Sequence, residues 1–167
     1  MLRQLKVEDT EGIMEWMEDP SINCYYRFDA KSITYEKVID FIENSFTDKC
    51  RHYAIVDIND EYLGTISLKD IDLINKNAEY AIALRKKAIG SGIAKSATVE
   101  ILQIAFVNLN LNKVFLNVLS DNHRAIHFYE KMGFEFEGEF LEHIFLKGEY
   151  RNIKWYSIRR NQYVTVD

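Results

Sequence analysis

Residues 89 to 106, IGSGIAKSATVEILQIAF, place two glycines one residue apart directly before an apolar stripe at helical spacing. A helix that begins this way leaves its first N–H groups without helical partners, and its dipole adds partial positive charge at the same end. Gly90, Gly92 and Ala94 keep side chains away from that mouth, so an anion can approach the main chain closely. The stretch lies between AEYAIAL (78 to 84) and KVFLNVLS (113 to 120), two runs that read as strands. Strand, glycine loop, helix and strand make an α/β unit, and the remaining elements must pack around it.

Those remaining elements bracket the unit with antiparallel strands. Residues 2 to 7 read as a short strand, after which Asp9-Thr10 caps a helix that carries Ile13, Trp16 and Met17 on one side and ends near Pro20. Tyr35, Val38, Ile39, Ile42 and Phe46 form the stripe of a second helix over about 34 to 47. HYAIVD (52 to 57) and YLGTISLKDI (62 to 71) flank Asn59-Asp60 as a hairpin. In DNHRAIHFYEKMGF (121 to 134), Asp121 or Asn122 caps a helix with Ala125, Phe128 and Tyr129 on one face, closed by Gly133. FEFEGEF and HIFLKGEYRNIKWYSI alternate strongly, and Lys147-Gly148 is the turn between the last two strands. The expected fold is α/β, a mixed and mostly antiparallel sheet of about seven strands flanked by helices. No repeat, low-complexity tract or Pro-rich linker interrupts it, so residues 1–167 are expected to form a single domain.

Several function classes drop out. A net charge of −5 does not suit a general nucleic-acid binder, which needs clustered Lys and Arg for phosphate contacts. Apolar runs stay short of the roughly 20 residues of a membrane span, and the N-terminus lacks the apolar core of a signal peptide, so a cytoplasmic protein is expected. Cys24 and Cys50 have neither disulfide-framework nor zinc spacing. His123 and His127 stand four apart like a metal pair, but no third ligand accompanies them, and no metal is expected.

Three kinds of phosphate loop compete for the glycines. A Walker loop needs Gly-x-x-x-x-Gly-Lys-Ser/Thr, which is absent. A dinucleotide fingerprint needs Gly or Ala where Lys95 stands, and a carboxylate about 20 residues on, where the chain reads NLNLNK. The third pattern, Arg/Gln-x-x-Gly-x-Gly/Ala, is matched from its fourth position by Gly92 and Ala94, with Ile89 departing at the first. It resembles the pyrophosphate loop of the GNAT superfamily of N-acetyltransferases. The likeness extends to the following block Asn-x-x-Ala-x-x-x-Tyr-x-x-x-Gly-Phe, which Asn122, Ala125, Tyr129, Gly133 and Phe134 fill completely. WMEDP (16 to 20) is similar to an N-terminal segment of the ribosomal-protein, spermidine and amino-sugar branches of that family.

The resemblance implies acetyl-CoA as cosubstrate and a direct transfer to an amine. It implies a bulge in the fourth strand that splays it from the fifth, with pantetheine in the gap on Ile82, Ala83 and Leu84. Ile89, Gly90, Ser91, Gly92, Ile93, Ala94 and Lys95 would cradle the pyrophosphate, and Asn122, Ala125, Phe128 and Lys131 would complete the coenzyme site. Tyr129 is the candidate general acid for the leaving thiolate, with a packed helix tyrosine as the competing reading. Glu79 would accept the ammonium proton directly or through water; an exposed strand carboxylate is its alternative. The acceptor side would draw on Tyr26, Arg27 and Phe28 and on Glu142 and His143 of the last hairpin. The implied acceptor is a small amine, a polyamine or amino sugar, ahead of a protein N-terminal alanine or serine. A coenzyme-binding sensor without turnover, and a homodimer or larger homo-oligomer, stay open.

Overall fold

The computed structural model describes residues 1–26 and 30–163. Its strands are β1 (Leu2–Gln4), β2 (Arg51–Val56), β3 (Tyr62–Asp72), β4 (Asn77–Leu84), β5 (Lys113–Leu119), β6 (Glu135–Leu146) and β7 (Glu149–Arg159). The helices are α1 (Thr10–Glu18), a single turn α2 (Pro20–Asn23), α3 (Tyr35–Glu43), α4 (Ile93–Gln103) and α5 (His123–Lys131). Thr34 caps α3 through its side chain, and the helix stops at Glu43, short of the expected 47, because Phe46 pairs as an isolated bridge with Arg51. The apolar run after the glycines leaves the α-helix at Gln103 and continues as a π-turn over Ile104–Asn108. At the last hairpin, Lys147 and Gly148 both take positive φ, as a tight two-residue turn requires.

All seven strands form one mixed sheet in the order β1-β2-β3-β4-β5-β7-β6. Every pairing is antiparallel except β4 with β5, which is parallel and spans only Asn77↔Lys113, Ala78↔Val114 and Glu79↔Phe115. Beyond Glu79, β4 runs on to Leu84 against β3, while β5 runs on to Leu119 against β7. The sheet therefore forks. The irregularity beside the fork lies in β3, not in β4 as expected: Asp70 and Ile71 oppose the single residue Ala78, with Asp70 at φ 48. An extra residue bends the strand that carries it, and β4 stays regular and follows the bend.

Two cores fix the layers. One packs α4 and α5 on the sheet through Tyr80, Ala97, Ile101, Val114, Leu116, Ile126, Phe134 and Tyr156, among others. The other packs α1, α2 and α3 through Ile13, Trp16, Ile22, Val38 and Ile42 against Ala54, Val56, Tyr62 and Ala83, and draws no described residue from β5, β6 or β7. Because Val114, Leu116 and Val118 point to the first core, strand alternation turns Phe115, Asn117 and Leu119 to the face that α1 and α3 cover only in part.

Candidate active site

The fork is a backbone site, and strand register decides which groups line it. The Arg85 N–H donates to the Leu63 carbonyl at 2.8 Å, so odd-numbered residues of β4 spend their N–H and C=O groups on β3. Even-numbered residues present theirs to the opposite edge, where β5 has diverged. Ile82 and Leu84 thus face the gap, whereas Ala83, expected alongside them, is paired to Thr65 and turns its polar groups away.

Past the end of β4 the glycine loop completes the site. Gly90 and Gly92 adopt φ values of 85° and 86°, a conformation that L side chains rarely take, and a Cβ on either would meet no atom within 4 Å. Their absent side chains serve the backbone path and the open space beside it. The Ser91 hydroxyl donates to the Ala88 carbonyl at 2.7 Å and braces the turn. Gly92 is the N-cap of α4, so Ile93, Ala94 and Lys95 form the first turn. Inside, the buried Tyr80 hydroxyl meets Thr98 Oγ1 at 2.8 Å, and Thr98 Oγ1 donates to the Ala94 carbonyl at 2.7 Å, which ties the start of α4 to the strand at the fork. Outside, Arg85 binds Glu15 of α1, Glu61 and the Tyr62 carbonyl, anchoring the start of the loop. Ile89 packs half-buried on the second core.

From the first-core side, α5 brings Tyr129 to the fork. Asn122 caps this helix by accepting from the Ala125 N–H at 3.2 Å, and Gly133 at φ 89 ends it. The Tyr129 ring stands edge-on to Tyr80 at 5.9 Å and contacts Phe128 and Phe134 at 5.6 and 6.0 Å. Burial pushes its hydroxyl up to about 12, so the phenol keeps its proton throughout the neutral and mildly alkaline range. Ala125 is half-buried against the first core, and Lys131 is exposed in the last turn of α5.

Glu79 occupies the vertex, in the last β4–β5 pair. Its Oε1 accepts from Lys69 Nζ and from Asn117 Nδ2, both at 3.1 Å, so one carboxylate oxygen joins β3, β4 and β5. Tyr26 reaches the gap from the other core, its hydroxyl donating to the Ile82 carbonyl at 2.8 Å. Arg27 and Phe28 lie outside the described residues. Glu142 and His143 are exposed and sit in a wide bulge of β6, where three residues oppose Asn152; Asn152 Oδ1 accepts from the Glu142 N–H at 2.8 Å. The fold does not bring these two to the fork.

Between Glu79 and His143 lies a row that the sequence reading missed. Phe115 and Trp155 stand 6.1 Å apart, Trp155 and Phe140 5.7 Å, and Phe140 and His143 5.0 Å, all on the partly covered face. With Lys113, Glu137 and Gly138, the first three aromatics line a groove of about 390 Å³. Glu137 bonds Lys113 and Ser157, and these partners hold its carboxyl below the usual range despite the opposing cost of burial. Alternation was the available signal, but Phe115, Trp155 and Phe140 meet only through the non-sequential order β5-β7-β6. Among the described residues no group of three His, Cys, Asp or Glu side chains could hold a metal ion, and no helix is long and apolar enough to cross a membrane.

Residues 1–135 match the family model of the acetyltransferase (GNAT) domain. The chain is 29% identical over 163 residues to spermidine N(1)-acetyltransferase of Escherichia coli strain K12, covering 98% of this chain and 87% of that one. It is 31% identical over 149 residues to the Vibrio cholerae enzyme of the same name, covering 89% and 80%. The crystal structure of spermidine N-acetyltransferase from Vibrio cholerae in complex with CoA and spermine superposes with a TM-score of 0.89 at 26% identity, over 97% of this chain and 96% of that one.

Proposed function

The chain belongs to the GNAT acetyltransferases, and from that premise we propose that it transfers acetyl from acetyl-CoA to a primary amine of a polyamine, as a single cytoplasmic acetyltransferase domain. The fork carries this reading: β4 and β5 share three residue pairs and then part, leaving the Ile82 and Leu84 main chain facing a gap that points at a glycine loop. The residues present fit the coenzyme. Ile82 and Leu84 offer donors and acceptors to pantetheine amides, the first turn of α4 offers N–H groups to the pyrophosphate, and Lys95 adds positive charge. Ile89 offers no side-chain hydrogen bond, so the loop binds through its main chain. Asn122 spends its side-chain oxygen on the helix cap and serves the site by fixing the direction of α5.

Acetyl-CoA supplies an activated acyl carbonyl and a thiolate leaving group. Glu79 takes the ammonium proton, directly or through water, at the vertex where Lys69 and Asn117 orient its carboxylate. Tyr129 holds a proton on the other face of the fork for the departing sulfur. A phenol near 12 is a reluctant donor to a thiolate of ordinary basicity near 8.5, so this transfer belongs within the transition state rather than to a separate step. The same apolar walls raise the basicity of a sulfur beside them, which narrows the mismatch.

The acceptor side is open, aromatic and flanked by carboxylates. A polyamine presents alternating methylenes and ammonium groups, which suit Phe115, Trp155 and Phe140 for contact and Glu79, Glu137 and Glu142 for charge. The hairpin beyond β5 exposes Leu141, Phe145 and Tyr150, a surface suited to self-association into a homo-oligomer. Mass spectrometry of the protein with acetyl-CoA against polyamines, nucleotide-linked amino sugars and peptides beginning with Ala or Ser tests the assignment. Acetylated spermidine or spermine is the expected product. Acetylation of peptides alone would replace the acceptor, and coenzyme binding without any product would make the protein a sensor.

A further inference from the structure

The Tyr26 side chain does something that acceptor binding does not require. Its hydroxyl donates at 2.8 Å to the Ile82 carbonyl, a main-chain acceptor that strand register aims into the fork. The donor comes from the α2 end of the second core, 56 residues away in sequence. Tyr26 is itself held by a polar and aromatic chain. Its ring lies 5.4 Å from Trp16, the Trp16 indole N–H donates to the Tyr62 hydroxyl at 3.1 Å, and that hydroxyl meets Thr65 Oγ1 at 2.7 Å. Tyr129 approaches the same fork from the opposite face and raises the pKa of Tyr26 by its proximity, after burial as the larger cause. Two tyrosines thus bracket the fork, and only Tyr26 is bonded to the strand edge that a pantetheine amide would use.

We propose that Tyr26 is a displaceable cover on the coenzyme edge of β4, bonded to Ile82 before the coenzyme enters and driven off it when pantetheine takes that carbonyl. The inference rests on the acetyl-CoA reading of the fork and adds to it a competition inside the site. This carbonyl is part-buried, and a side chain that bonds it stabilises the free enzyme by a net hydrogen bond that pantetheine must replace, at the expense of coenzyme affinity. The loss scales with one hydrogen bond. Because the Tyr26 ring lies against Trp16 at a tilt of 49°, its departure also changes the surroundings of that indole.

The test is a calorimetric titration of the parent and Tyr26→Phe with acetyl-CoA and with CoA. The variant keeps the ring and loses the hydroxyl. We expect both ligands to bind Tyr26→Phe about 2- to 10-fold more tightly than the parent, the span of one net hydrogen bond. Equal or weaker binding overturns the proposal, and weaker binding of acetyl-CoA alone would instead make Tyr26 a contact to the acetyl group. A second readout leaves Tyr26 untouched. The chain has two tryptophans, so Trp155→Phe leaves Trp16 as the sole indole reporter. Its emission should change on titration with acetyl-CoA and saturate at the calorimetric Kd. Binding seen by calorimetry with silent Trp16 emission refutes the displacement while leaving the coenzyme site intact, whereas no binding to the parent removes the coenzyme reading itself.

Discussion

Gly92 can be separated from its own backbone cost because the chain carries an internal control. Gly92 and Gly148 have nearly the same φ, 86° and 88°, and at both a Cβ would meet nothing within 4 Å. One opens the first turn of α4, and the other sits in the tight turn between β6 and β7. Replacing either by alanine imposes the same left-handed strain, about 1–2 kcal/mol. For a chain of this size that amounts to roughly 2–8 °C in Tm, and differential scanning fluorimetry should find the two variants alike. Coenzyme affinity should distinguish them. A methyl at Gly92 stands where the pyrophosphate approaches the α4 amides, and losing one hydrogen bond to a charged group removes about 1.5–3 kcal/mol, or roughly 10- to 100-fold in Kd. Gly148→Ala should bind acetyl-CoA as the parent does. Equal Kd values for Gly92→Ala and Gly148→Ala, at equal loss of stability, would refute the placement of the phosphate at this loop.

Tyr129→Phe should lower kcat about 10²-fold with the acetyl-CoA Kd unchanged, checked by steady-state kinetics and calorimetry on one preparation; full turnover would make Tyr129 a packing residue. Glu79→Gln should also cost about 10²-fold in kcat while Asn117→Ala, which removes one bond that orients Glu79, costs less, and equal rates for parent and Glu79→Gln would assign the base elsewhere. His52 gives a pH dependence of stability: burial is the main cause that lowers its pKa to about 4 from the ordinary 6.5, with Lys69 adding to it. The unfolded chain therefore binds the extra proton first as pH falls, so stability is fully present above about 6.5 and declines towards 4, by about 1–2 kcal/mol after allowance for partial solvent access. Urea midpoints at pH 7 and pH 5 should converge in His52→Gln, and an unchanged difference would exclude His52 as its source.

What the sequence disclosed were features written into local backbone demands. Gly90 and Gly92 announced an unobstructed helix start, Asp121 or Asn122 a cap and Lys147-Gly148 a tight turn; the fold has all three, with Asn122 as the cap and left-handed φ at both loop glycines as the added detail. The strand count followed from alternation. Features that depend on register across the sheet stayed hidden. Whether Ile82 or Ala83 faces the gap is a matter of parity, set by the Leu63–Arg85 pairing and invisible in AEYAIAL itself. The bulge fell in β3 because Asp70 tolerates positive φ, a preference that Asp shares with many turn residues and that singles out no strand. Tyr26 on Ile82 and the row Phe115, Trp155 and Phe140 are contacts of distant segments, so no window of sequence contains them.

Among the described residues only three ladder pairs join one half of the sheet to the other, and this bears on how the chain is made and how it comes apart. The hairpins β2–β3 and β3–β4 are complete before β5 leaves the ribosome, and β6–β7 is again a local pair, so loop closure is inexpensive within each half. The seam between them closes late, across the α4 crossover. It is also the line along which partial opening exposes the least-paired amides, so hydrogen exchange should be quickest there among the strand interiors. A molecule lying in the fork and bonded to β4 on one side and packed on the α5 end on the other acts as a latch across that line, slowing the opening of a joint that the polypeptide itself leaves nearly unsewn.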